Sequence, residues 1–280
     1  MTSINPAFLI LLFAVLVVPV FGQLENIKIS PDEIQAAKVV GERFETRLDQ
    51  SGDITPLISE MFVSDHVARF VKEAKAQLTT NGLKPKSVVF ASGIFYDPEL
   101  LNTASEEDWR QLYIQSFNFM RYSTGVMMNL MADTMISGKD TDEELEAAFD
   151  RAHPPAVTKL FDNHPILRNF LRKEEDTSTI TTVSELQSVA HTLNEANNIL
   201  RKDPLRSKLT ASAHTLLTML KEKKGKDKFG PSLEITKREA YGFPGATRLI
   251  LFFPSPMHHL IIAKVGNEYK IVDARIASPD

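Results

Sequence analysis

The sequence contains no cysteine among its 280 residues. That one absence removes disulfide staples, thiolate metal sites, a lipoprotein anchor and a cysteine nucleophile together. The fold must therefore be held by its core. There is also no Asn-x-Ser/Thr triplet, and an exported chain with neither sequon nor disulfide fits a bacterial envelope better than a eukaryotic secretory route. The nucleophile elbow G-x-S-x-G, the phosphate loop G-x-x-x-x-G-K-[ST], the dinucleotide fingerprint G-x-G-x-x-G, the zincin H-E-x-x-H and the pair S-x-x-K are all missing. A Ser-His-Asp constellation assembled from distant residues stays open, because such triads are defined by geometry and not by order. Charge of one sign is scarce too. With 32 basic and 36 acidic residues the net charge is −4, so there is no global attraction to nucleic acid or to anionic lipid, and the basic run Lys221 to Lys228 reads more readily as a solvated helix end than as a contact with an acidic partner or lipid headgroups.

What is present begins with an apolar run from Ala7 to Phe21. It is shorter than the roughly twenty residues that span a bilayer and matches the core of a cleavable signal peptide. Residues 1–22 are read as that peptide, with cleavage before Gln23 and no stable membrane insertion afterwards. Met1 to Pro6 lacks Lys and Arg, which is unusual for such a leader. The expected location is the periplasm or the extracellular space. The remaining chain, roughly 258 residues long, can bury about 70 to 75% of its unfolded surface.

Ser30-Pro31-Asp32-Glu33 is a helix start with cap, first-turn proline and capping partner. Ile34, Ala37, Val40, Phe44 and Leu48 then form one buried stripe, closed at Ser51-Gly52. Ser64-Asp65 opens a second helix that Asn81-Gly82 stops. Ser87 to Leu101, broken by Gly93 and Pro98, fits either a short helix or a buried loop, with helix the favoured reading. The longest helix runs from Ser105, with Asp108 as capping partner, to about Ile136. Thr141 with Glu144 starts another, ended by Pro154-Pro155. Short helices follow at Pro155 to Asp162 and Pro165 to Lys173, and Glu174 to Thr179 reads as a surface loop. Thr182 with Glu185 caps a helix reaching Lys202, and Pro204 opens the last one.

From Leu233 the pattern changes from helical to alternating. Leu233 to Lys237, Arg248 to Phe253, Leu260 to Val265 and Tyr269 to Ile276 read as four antiparallel strands, the last two joined by a tight turn at Gly266-Asn267. The chain is thus expected to be α+β: residues 23–224 a predominantly helical body, and residues 225–280 a small antiparallel β segment packed on it as one domain.

Candidate chemistry is sparse. His66, His153, His164, His191, His214, His258 and His259 show no ligand spacing, and neighbours such as His258 and His259 point to opposite faces of a strand. No metal and no cofactor is expected. Met127, Met131 and Met135, four residues apart with Met120 nearby, place thioethers along one side of the long helix. Together with Trp109 they are the candidate lining of a pocket for an apolar small molecule. Ordinary core packing is the competing reading of that stripe, and Cu(I) ligation a further one.

Two pieces of the chain resemble the NTF2-like (SnoaL-like) cone fold. At the front, Phe44-Glu45-Thr46-Arg47-Leu48, then Gly52-Asp53-Ile54 and Phe62-Val63-Ser64-Asp65, is similar to that family's first helix, Gly-Asp turn and second helix. At the back, Leu260 to Asp273 is similar to its closing hairpin. About 160 residues of helical pattern lie between the two pieces. The resemblance implies a pocket. No residue matches the polar pair that enzymes of the family place in the cone, so no catalytic role is carried over. The functional expectation is a non-catalytic protein of the envelope that binds an apolar ligand or a protein partner. The alternatives are a hydrolase or isomerase with a convergent site in an apolar pocket, and an assembly role through an exposed helix face.

Overall fold

The computed structural model describes residues 30–69, 71, 72, 75, 94–136, 143, 153–168, 178–202, 209–216, 249–255 and 258–276. These form an α+β protein, mostly helical, in two compact units. The division differs from one drawn at the change of period near Leu233. Described residues 30–75 group with 249–276, and 94–216 form the other unit. The expected helical body of residues 23–224 is therefore split, because the first helix buries its stripe against the C-terminal sheet.

In the first unit, helix α1 spans Pro31–Ser51. Glu33 N–H donates to Ser30 Oγ at 3.2 Å and Ser30 N–H to Glu33 Oε2 at 2.9 Å, the reciprocal capping expected from the sequence. Gly52, at φ 65°, ends the helix by donating its N–H to Leu48 O at 2.8 Å. Helix α2 spans Thr55–Met61, and Arg47 of α1 grips Glu60 of α2 through both carboxylate oxygens.

The sheet has three described strands, β3 (Leu249–Ser255), β4 (His258–Val265) and β5 (Glu268–Ile276), antiparallel in that order. The fourth expected strand, Leu233 to Lys237, lies outside the described residues. Val265 pairs with Glu268 across the Gly266-Asn267 turn, where Gly266 sits at φ 61°. One face of the sheet carries Ile250, Phe252, Leu260, Ile262, Ile271 and Ala274, all buried, and α1 packs on β3 and β5 with Ala37, Phe44 and Leu48 fully buried. The pairing passes from Ile261↔Asp273 to Ile262↔Ile271, so Val272 is the extra residue of a bulge. It packs with Ala263 and Ile261. At the edge of β5, Val63 N–H donates to Ile271 O at 2.9 Å.

The second unit contains a pairing that the sequence pattern concealed. Strand β1 (Ile94–Tyr96) runs parallel to β2 (Ser178–Ile180). Ile94 to Tyr96 is therefore strand where helix was expected, and Ser178 and Thr179 belong to a strand and not to a surface loop. Each strand leads into a helix. After β1 come the short α3 (Leu100–Thr103) and the 31-residue α4 (Glu106–Ile136). After β2 comes α6 (Val183–Leu200), capped reciprocally by Thr182 and Glu185. Helix α5 (Pro155–Asp162) packs on α6, and its Phe161 ring lies 5.1 Å from that of Phe119 on α4.

Residues 165–168 form turns where a helix was expected, and of the helix expected from Pro204 the described residues 209–216 include a helical stretch at 211–216, where Ala213 N–H donates to Thr210 Oγ1. The helix expected from Thr141 falls almost wholly outside the described residues. Helix α4 is the centre of this unit, with residues 116–119 and 121–129 all buried. Asn129, 1% exposed, accepts the Thr210 backbone N–H at 2.7 Å.

Candidate functional site

The five residues expected to line an apolar pocket are not gathered at one place. At 1.5 Å per residue, Trp109 lies about 27 Å along α4 from Met127 and about 39 Å from Met135. Trp109 is buried edge-on against Tyr96, their centroids 5.1 Å apart. Met120 is half-buried. Met127 packs with Val126, Leu130 and Met131, so only Met127 and Met131 of the expected set share a cluster. Their neighbour Met128 belongs to a different cluster, with Ala132, Ala213 and Leu216. Met135 is 44% exposed. Two steps of four residues turn a side chain by about 80° around the axis, which is why a regular spacing does not keep Met135 on the buried side.

The structure places a different set of side chains together. Helices α4 and α6 lie side by side and point the same way. Gln187 Nε2 donates to Asp108 Oδ1 at 2.8 Å, and Asn197 Nδ2 donates to both the backbone oxygen and Oε1 of Gln115, at 2.9 and 3.0 Å. Further along, Arg201 Nε donates to Tyr122 Oη at 3.3 Å. Between the helices lies an open groove of about 240 Å³. Its α4 wall is Asp108, Gln111 and Gln115, and its α6 wall is Gln187, His191 and Asn194. Ala190, only 6% exposed, forms the floor. A methyl side chain at that point is what leaves room between two closely packed helices.

The electrostatics of the groove are quiet. Burial pushes the Asp108 carboxyl up, but hydrogen bonds from Gln187 and from the Ser105 hydroxyl and N–H outweigh it and hold the group below the usual carboxylate range. Asp108 is therefore ionised with both oxygens engaged. Glu185 at the start of α6 is also held low, first by the Thr181 N–H and further by the Thr181 hydroxyl and by Thr182. The positive end of each helix is thus answered by its own carboxylate.

Two histidines make buried polar pairs. His164, 7% exposed, accepts the N–H groups of Ile166 and Leu167 on Nδ1 at 3.1 and 3.2 Å. Its proton therefore sits on Nε2 and is donated to Ser188 Oγ at 3.0 Å. A general base for serine needs the opposite tautomer, with Nε2 accepting. Burial also lowers the His164 pKa, against the opposing pull of Glu185.

In the other unit, His258 Nδ1–H donates to Glu45 Oε1 at 2.8 Å, and the ring meets Phe44 edge-on. This carboxylate–imidazole pair has the orientation of the acid–base half of a triad, yet His258 is 5% exposed and its Nε2 is closed off from solvent. Nothing in the sequence ties Glu45 to a residue 213 positions away. Among the described residues there is no group of three or more His, Asp or Glu placed to hold a metal ion, and no helix long and apolar enough to cross a membrane. No protein-family model, curated protein or solved structure matches this chain.

Proposed function

We propose that this is an exported, non-catalytic binding protein whose recognition surface is the groove between α4 and α6. The observation that carries the reading is the pair of facing rows of hydrogen-bonding side chains over the floor of Ala190, open to solvent on one side. The tautomer of His164 and the closure around His258 Nε2 support the non-catalytic part, since neither imidazole presents a base to an open surface. The apolar run Ala7 to Phe21 supports export.

The test is native mass spectrometry of the protein isolated from its own envelope fraction, run beside an Ala190→Leu variant that fills the groove. A chain starting at Gln23 with a retained mass that the variant lacks is the expected result. An intact Met1 overturns the export reading, and a mass retained equally by the variant overturns the groove.

A second reading has one observation in its favour. The two pieces similar to the NTF2-like fold fall in the same compact unit, and that unit holds a buried polar pair, Glu45 with His258, between helix and sheet. In this reading the unit is a hydrolase or isomerase that opens to expose the imidazole. Turnover abolished by His258→Gln, in a variant that keeps its fold, would decide for it over the binding reading.

A further inference from the structure

From the chemistry of the groove we infer that its ligand is the main chain of an extended, uncharged peptide segment of about three residues. The inference rests on the groove reading above and adds the class of molecule that the groove takes.

Each wall keeps part of its hydrogen-bonding capacity for a ligand. Gln111 gives one N–H of Nε2 to Glu107 Oε1 at 2.6 Å and keeps its second N–H and its carbonyl. Gln115 accepts from Asn197 on Oε1 and keeps both N–H groups of Nε2. Gln187 gives one N–H to Asp108 and keeps the other together with its carbonyl. The two amides of the α4 wall are four residues apart, a rise of about 6 Å. An extended chain repeats its outward N–H and C=O groups every two residues, about 6.6 Å. Each wall covers seven residue steps, about 10.5 Å of helix, which is close to three residues of extended chain at about 3.3 Å each.

Other ligand classes fit less well. An anion meets the ionised Asp108 and two helix starts already occupied by carboxylates. A metal cation meets one carboxylate with both oxygens engaged. An apolar molecule would cover the amides of both walls without pairing them, and a sugar finds no Trp, Tyr or Phe among the lining residues. A neutral ligand carrying regularly spaced donors and acceptors remains. Recognition through the main chain makes the site tolerant of peptide sequence.

The experiment follows the side-chain amide signals of Gln111, Gln115 and Asn194 by NMR in the full-length protein. The probes are acetyl-Ala-Ser-Ala-Ser-amide, the same peptide with its backbone nitrogens methylated, and chitotriose. The expected result is that the first peptide shifts all three signals, that methylation weakens binding at least tenfold, and that Ala190→Leu does the same. Equal binding of the methylated peptide overturns the inference. Shifts caused by chitotriose and not by peptide also overturn it while leaving the groove as a binding site. If no probe moves these signals, the inference falls, and the groove reading is then decided separately by the retained mass.

Discussion

The Glu45–His258 pair gives the sharpest stability prediction. Replacing Glu45 with Ala leaves the Nδ1–H of a histidine whose side chain is 6% exposed without its 2.8 Å acceptor. A hydrogen bond to a charged group contributes about 1.5 to 3 kcal/mol. Glu45 is 24% exposed at its side chain, so water screens part of this, and alanine gains a few tenths of a kcal/mol in helix propensity. The net expectation is a loss of about 1.5 kcal/mol. Glu45→Gln keeps a carbonyl oxygen in reach and should lose about half as much, since neutral bonds are roughly half as strong. With a urea slope of about 1–3 kcal/mol per molar, the Glu45→Ala midpoint followed by far-UV ellipticity should fall by roughly 0.5 to 1.5 M. Trp109, the one tryptophan of the chain, lies in the other unit and serves as an internal reference by fluorescence. Equal losses for Ala and Gln, or no loss for either, would refute the claim that this bond holds α1 to β4.

Three further outcomes follow from the same structure. The His164 pKa is lowered in the fold, so the unfolded chain takes up the proton first, and stability should be constant above about pH 6.5 and fall below it; denaturation followed by Trp109 fluorescence at pH 7 and pH 5.5 should show this slope, reduced in His164→Asn. Thr182→Ala removes one half of the reciprocal cap of α6 and should cost about 1 kcal/mol, measured from the same fluorescence curves; an unchanged midpoint would contradict the cap. Under dilute peroxide, Met135 at 44% exposure should become sulfoxide well before Met127 at 8% and Met128 at 5%, which peptide mass spectrometry resolves over time.

The parts of the fold that could be read from sequence were those whose signals are local. Helix α1 announces itself through Ser30, Glu33 and the stripe Ala37, Phe44 and Leu48, and its end through Gly52, because capping and periodicity need only residues within one or two turns. The β4–β5 hairpin is equally local, since Gly266 supplies the positive φ that its turn requires. By contrast, β1 and β2 are three residues each, too short for an alternation to show, and their partners are 84 positions apart. The Ser178 strand also follows an acidic run that looks like surface. The stripe Met127, Met131 and Met135 was visible as a spacing, but what covers a methionine of this helix can arrive from far along the chain, as Ala213 and Leu216 do at the neighbouring Met128.

The groove was illegible for a different reason, and that reason shows how the fold makes it. Gln111, Gln115, Gln187 and Asn194 are what any solvated helix face displays, so their pattern says nothing until two such faces meet in register. The parallel pairing of β1 with β2 supplies the register. Two strands that run the same way, each leading into a helix, deliver α4 and α6 pointing the same way. Contacts 79 residues apart then recur, Asp108 with Gln187 and Tyr122 with Arg201. With that offset held, steps of three and four residues on one helix face equal steps on the other, and Ala190 falls between the rows. The least legible element of the sequence, a pair of three-residue strands, thereby determines where the polar rows meet, and replacing Ile180, which is fully buried, should disturb the groove through the packing and register of this pair.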